Sequence, residues 1–123
     1  MKVNELRVGN LIKWGVHYCA VKSFTRSDIN PEVYIYTDKT IGAIELSNFE
    51  PISITTEILE KAGFKKELVK GSLTNHWYRL GEISYNESHK GWWLRGRIKN
   101  INYVHQLQNL IFAFSDEELN ISL

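Results

Sequence analysis

One stretch limits how this chain can fold more than any other. Residues 101–115 read Ile-Asn-Tyr-Val-His-Gln-Leu-Gln-Asn-Leu-Ile-Phe-Ala-Phe-Ser, the longest helical period in the sequence. At about 100° per residue, Tyr103, Val104, Leu107, Leu110, Ile111 and Phe114 share one broad face, with His105, Gln106, Gln108 and Asn109 opposite. A helix of this kind is expected to lie on a sheet. Phe112 breaks the pattern, because it falls between His105 and Gln108 on the polar side. An aromatic there is either covered by the first half of the chain or touches a second subunit or a partner. His105, Asn109 and Phe112 are therefore the candidate interface residues.

The rest of the chain is mostly short β-rich runs between turn signals. Strands are expected at residues 11–14, 17–24, 33–37 and 40–46, with a loop around Asn30-Pro31. Residues 17–24 are partly apolar on both sides, which suits a small curled sheet or SH3-like barrel more than an open sheet. Pro51 keeps the next segment out of a central strand. Thr55 is a good N-cap for a helix over 56–62, and Gly63 stands where a C′ glycine belongs. Residues 65–74 read as a loop or ragged strand. A three-stranded meander follows at 75–80, 83–86 and 92–99, with Gly81-Glu82 as a tight turn. Asn102 is the expected N-cap of the long helix. Ser115 with Glu118 has the form of a capping box for one further turn, and Leu119, Ile121 and Leu123 alternate like an edge strand.

The expected class is therefore α+β, in one domain of 123 residues. A β-rich half (1–54) and a helix–meander–helix half (55–123) would share one core, with Trp92, Leu94 and Ile98 against Leu107, Leu110 and Phe114. No apolar run approaches the ~18 residues of a membrane span. The N-terminus lacks the apolar stretch of a secretory signal. Cys19 is the single cysteine, so no internal disulfide can form. A cytoplasmic protein is expected, with no membrane partner.

The net charge of +1 hides an asymmetry. Between residues 61 and 100, nine Lys and Arg stand against three acidic residues, a surplus of six. Such a block is either a solvated surface or one that attracts anions. The meander indicates where the attraction would act. By period-2 alternation, Trp92, Leu94, Gly96 and Ile98 point to one side, and Trp93, Arg95, Arg97 and Lys99 to the other. In the first meander strand, His76, Tyr78 and Leu80 take the core side, leaving Trp77 and Arg79 outside. Two strands thus independently propose an outer face of Trp and Arg. Guanidinium forks pair with phosphate and indoles stack on bases, so Trp77, Arg79, Trp93, Arg95, Arg97 and Lys99 are the candidate ligand-binding residues. The two Trp rows are expected about 10 Å apart, enough to take a base between or across the indoles, with phosphate reaching Arg95 or Arg97. The competing explanation is that the indoles cover Arg and Lys stems, or form a seam between the halves.

Catalytic and metal chemistry find little support. His17, His76, His89 and His105 are far apart in sequence, and none has a Cys or second His at ligand spacing. Lys70-Gly71-Ser72 lacks the glycines and the Lys-Ser/Thr pair of a phosphate loop. No Gly-x-Ser-x-Gly occurs. No cofactor is expected, and nothing in the sequence asks for a catalyst.

Three segments resemble a known family. They are Asn4-Glu-Leu-Arg-Val-Gly-Asn10; Glu50-Pro-Ile52 with Thr55-Thr-Glu-Ile-Leu59 and Ala62-Gly-Phe64; and Tyr103-Val-His-Gln-Leu-Gln-Asn-Leu110 with Phe112-Ala113 and Glu117-Glu-Leu119. Together, over about a third of the chain, they resemble a family of small uncharacterised proteins common in gut-bacterial genomes, phages and prophages. That family commonly carries Thr-Gly after the last helix, where Ser115-Asp116 stands here. The resemblance implies a phage or mobile-element setting in a bacterial cell, and brings no catalytic residues. Within it, the leading expectation is a non-enzymatic binding protein that sequesters an anionic, nucleotide-like small molecule such as a host-defence signal. Two alternatives stand beside it: a nucleic-acid-binding accessory protein using the same face, and an oligomeric or adaptor protein that blocks a host factor through the Phe112 stripe.

Overall fold

A computed structural model describes residues 1–26, 32–68, 70, 71, 75–99 and 101–123. Asn30-Pro31, Ser72 and part of the loop expected at 65–74 lie outside the described residues. The fold is α+β, with two antiparallel sheets and two α-helices among the described residues. It divides into two compact units.

The first unit comprises Met1–Ser53 and Asn102–Leu119. Its sheet has the order β1 (Leu11–Trp14), β2 (His17–Arg26), β3 (Val33–Thr37), β4 (Ile44–Glu45). Ile12 pairs with Cys19, Val21 with Thr37, Phe24 with Ile35, and Ile35 with Ile44. A bulge between Val21 and Ser23 inserts one residue into β2. It brings Val21 and Phe24 to the same side although three positions separate them. This accounts for the two-sided apolar pattern of residues 17–24: the period changes at the bulge. Leu6, Ile12, Val21, Ile35 and Phe49 form the core of this unit, with Trp14, Phe24, Ile44 and Leu46 against it.

The long helix, α2 (Val104–Ser115), belongs to this first unit and lies beside β1. The sequence had grouped it with the meander, but backbone links anchor it here. Val104 N donates to Ile52 O at 2.8 Å, and Ser53 bridges to Tyr103. Three local expectations are corrected. The helix starts after Tyr103 rather than Asn102, because Gln106 Oε1 accepts from the amides of both Asn102 (2.8 Å) and Tyr103 (3.1 Å). Ser115 closes α2 rather than opening another turn: its hydroxyl donates to Ile111 O at 2.7 Å and accepts from Glu117 N at 3.2 Å. Asp116 takes the left-handed C-cap at φ +58°. Leu119 is buried, and residues 119–123 form no strand.

The second unit comprises Ile54–Ile101 and Asn120–Leu123. It opens with α1 (Thr56–Lys61), whose N-cap Thr55 accepts from Ile58 N at 3.2 Å. Gly63, at φ +94°, follows as the left-handed C′ residue. The sheet is a five-stranded meander in sequence order: β5 (Lys65–Leu68), β6 (His76–Leu80), β7 (Ile83–Asn86), β8 (Gly91–Trp93) and β9 (Arg97–Ile98). Its inner face carries Tyr78, Ile83, Tyr85, Trp92 and Ile98. Phe64 meets Trp92 edge-on at 5.9 Å, and Tyr85 lies 5.0 Å from Trp92.

The single strand expected at 92–99 is two strands and a turn. Arg95 and Gly96 both have positive φ, and Leu94 N closes the turn onto Gly96 O at 2.8 Å. The apolar–polar alternation continues through the turn, so period alone did not reveal it. Among the described residues, no helix is long and apolar enough to cross a membrane.

Candidate functional site

Strand register assembles the outer face of the five-stranded sheet. Lys65 pairs with Arg79, Arg79 with Ser84, Ser84 with Trp93, and Trp93 with Arg97, which makes one row across all five strands. Glu67, Trp77, Asn86 and Gly91 form the neighbouring row. Trp77, Arg79, Trp93 and Arg97 therefore share a side, as alternation proposed. For Arg97 the route differs: it is brought there by cross-strand pairing after the chain reverses.

The indoles do not stand apart. Trp93 leans over Gly91, where a Cβ would come within 2.8 Å of the ring. Its centroid lies 5.2 Å from that of Trp77, edge to face at 63°. The 10 Å slot expected between the two Trp rows is closed, and no base fits between them. The room comes from what lies between and beneath: glycine at 91, and small polar Ser84 and Asn86, both buried. Asn86 Oδ1 accepts from His89 N at 2.9 Å, which ties down the β7–β8 turn.

A guanidinium covers each indole. Arg79 Cζ lies 5.2 Å from the Trp77 ring, and Arg97 Cζ lies 5.7 Å from Trp93. Arg79 is also held by two side chains on neighbouring strands, donating from Nε to Glu67 at 3.0 Å and from Nη1 to Ser84 Oγ at 3.4 Å. Arg97 makes no salt bridge among the described residues, and its side chain is exposed. The other two proposed cations stand differently. Arg95 sits on the β8–β9 turn and bonds Glu82 at 3.2 Å. Lys99 lies just past β9 and is exposed. Alternation in the sequence does not single out Glu67, Ser84, Asn86 or Gly91; for Glu67 the reason is that residues 65–74 read equally as a loop or a ragged strand.

The second set of candidates lies in the first unit, where the chain's own N-terminal segment covers the polar side of α2. Gln108 Oε1 accepts from Leu11 N at 2.8 Å, and Gln108 Nε2 donates to Gly9 O at 3.3 Å. Asn109 Oδ1 accepts from Asn10 Nδ2 at 2.8 Å, and Asn109 Nδ2 donates to Glu5 O at 2.8 Å. The Arg7 guanidinium lies 4.1 Å over the Phe112 ring and ion-pairs with Glu118. That pairing holds the Glu118 carboxyl below its usual range.

His105 is fully buried, stacked on Tyr103 at 5.9 Å, with Glu5 3.5 Å from its Nε2. Burial lowers its pKa, while Glu5 opposes that shift. His105, Asn109 and Phe112 thus all contact the N-terminal segment, His105 fully buried and the other two half-buried. The segments 5–11 and 105–112 are the two sides of this seam.

No family model, curated protein or solved structure matches the chain.

The remaining titratable groups form no cluster of metal-ligand type among the described residues. His76 Nδ1 and Glu87 lie 3.2 Å apart on the inner side of the meander. The outer face remains as the arrangement with a defined chemistry. It offers indole rings and guanidinium groups for bases, and N–H forks for phosphate, on one side of the sheet.

Proposed function

We propose that the outer face of the five-stranded sheet binds single-stranded nucleic acid, as a non-enzymatic accessory protein acting in the bacterial cytoplasm. The observation that carries this reading is the Arg79–Trp77–Trp93–Arg97 cluster on one sheet face, with half-buried indoles and exposed guanidinium groups. Capturing a single nucleotide, the other use of this face, needs a recess that buries most of the ligand. The edge-to-face contact of Trp77 and Trp93 closes the recess that the sequence had offered. A polymer needs none, because it sums modest stacking and phosphate contacts along a surface. The surplus of six positive charges over residues 61–100 supports the same reading. The phage or mobile-element setting implied by the terminal motifs is compatible with it.

Fluorescence anisotropy with labelled oligothymidylate and oligouridylate of about 12 nucleotides tests the reading, a length within the range of small single-strand platforms. Binding should weaken with salt, by about 0.7 in the slope of log K against log salt for each phosphate neutralised. Arg97→Ala should weaken binding by about tenfold, near 1.4 kcal/mol, with unchanged circular dichroism. Absence of binding to either oligomer would remove the reading. Salt-insensitive binding of a mononucleotide would restore the sequestering function.

A further inference from the structure

The cations of the outer face are not equally available. Arg97 has only the Trp93 ring as a partner among the described residues. Arg79 is engaged three ways: it lies over Trp77, bonds Ser84, and donates its Nε–H to Glu67 at 3.0 Å. Glu67 stands on β5, directly across from Trp77 in the strand register. Its carboxylate holds one edge of the guanidinium, in the manner a phosphate would. Both partners are about half exposed, at 47% for Arg79 and 56% for Glu67, so an incoming anion can reach the pair.

Resting on the nucleic-acid reading above, we propose that Glu67 is a specificity-determining residue, an internal competitor for the phosphate that would pair with Arg79. In the free protein the carboxylate helps hold Arg79 over Trp77, so the platform is already in shape. A strand phosphate that seats on Arg79 must displace the carboxylate. A single phosphate gains more at Arg97, where nothing has to be released. Only a chain long enough to reach from Arg97 past Trp93 to Trp77 places a second phosphate at Arg79, with stacking to offset the lost ion pair. Glu67 thereby favours a strand over a lone nucleotide and limits non-specific capture of anions.

The test is a double-mutant cycle on the full chain, read by anisotropy with the labelled oligothymidylate. Glu67→Gln keeps the side-chain shape and removes the charge. It should tighten binding by about two- to fivefold, the scale of one exposed ion pair. In the Arg79→Ala background the same substitution should change affinity by well under twofold, since no guanidinium remains to be released. Unchanged or weaker binding by Glu67→Gln would overturn the proposal while leaving the nucleic-acid reading intact. Equal tightening in both backgrounds would also overturn it, because Glu67 would then act only as a distant negative charge. If the parent binds no oligonucleotide while all variants keep the parent circular dichroism, the reading and this proposal fall together.

Discussion

At the scale of single residues, Gly91 shows how one missing side chain arranges the outer face. Its φ is not in the left-handed region, so the backbone does not call for glycine. The approach of Trp93 does, at 2.8 Å from a would-be Cβ. Gly→Ala at an ordinary backbone position stabilises by about 0.4–1 kcal/mol through the unfolded chain. Any net loss of stability in Gly91→Ala would therefore come from displacing the indole. The substitution should move Trp93 off Trp77 and abolish the exciton couplet of the paired indoles in far-ultraviolet circular dichroism. A couplet equal to the parent's would show that the rings do not meet over Gly91.

At the scale of elements, α2 is the case in which composition and environment part company. Its apolar positions Val104, Leu107 and Ile111 are buried, as period predicts. His105 and Gln108 are buried too, while Phe114 at the helix end is 46% exposed. This part of the polar side is covered because Gly9, Asn10 and Leu11 run along it and satisfy the Gln108 and Asn109 amides. A buried amide bonded on both its oxygen and its nitrogen costs little, whereas one left bare costs about 1–3 kcal/mol. Leu107 is wholly buried, so Leu107→Ala should lose about 2–5 kcal/mol in denaturant unfolding. An unchanged midpoint would mean that α2 does not lie on the core of the first unit.

At the scale of the whole molecule, stability against pH should show two windows. Burial, with a smaller contribution from the N-terminal amine, keeps His105 neutral in the fold despite Glu5. The unfolded chain then binds a proton that the folded chain refuses. This contribution is fully present above about pH 6.5 and is lost as pH falls toward the depressed folded value, by at most about 1.4 kcal/mol per pH unit. The Arg7–Glu118 contribution has the same sign but a lower window, being lost only as pH falls below the ordinary carboxylate range of about 4.3. Chemical denaturation between about pH 7.5 and about pH 5 should therefore show a decline that His105→Gln flattens. A parent and variant with parallel profiles would show that His105 does not titrate on unfolding.

Several parts of this chain were legible in the sequence because their causes are local. Thr55 and Gly63 bound α1 through hydrogen bonds and backbone angles set within a few residues. The expected bounds of β1, β3 and β7 agree with the structure, since period and flanking turns depend on neighbours alone. The common side of Trp77 and Arg79 is likewise a matter of alternation. Other features rest on contacts between residues remote in sequence. Asn10 and Asn109 meet across 99 positions, and Arg7 and Glu118 across 111. Only that closure buries His105 and Gln108 on a polar helix face and sets Arg7 over the half-buried Phe112. The gap between Trp77 and Trp93 was equally beyond reach, because strand spacing fixes where backbones lie but not how far an indole leans over a glycine. Whether a surface is a slot, a platform or a seam is a property of side chains meeting across the fold, and period in a sequence carries no record of it.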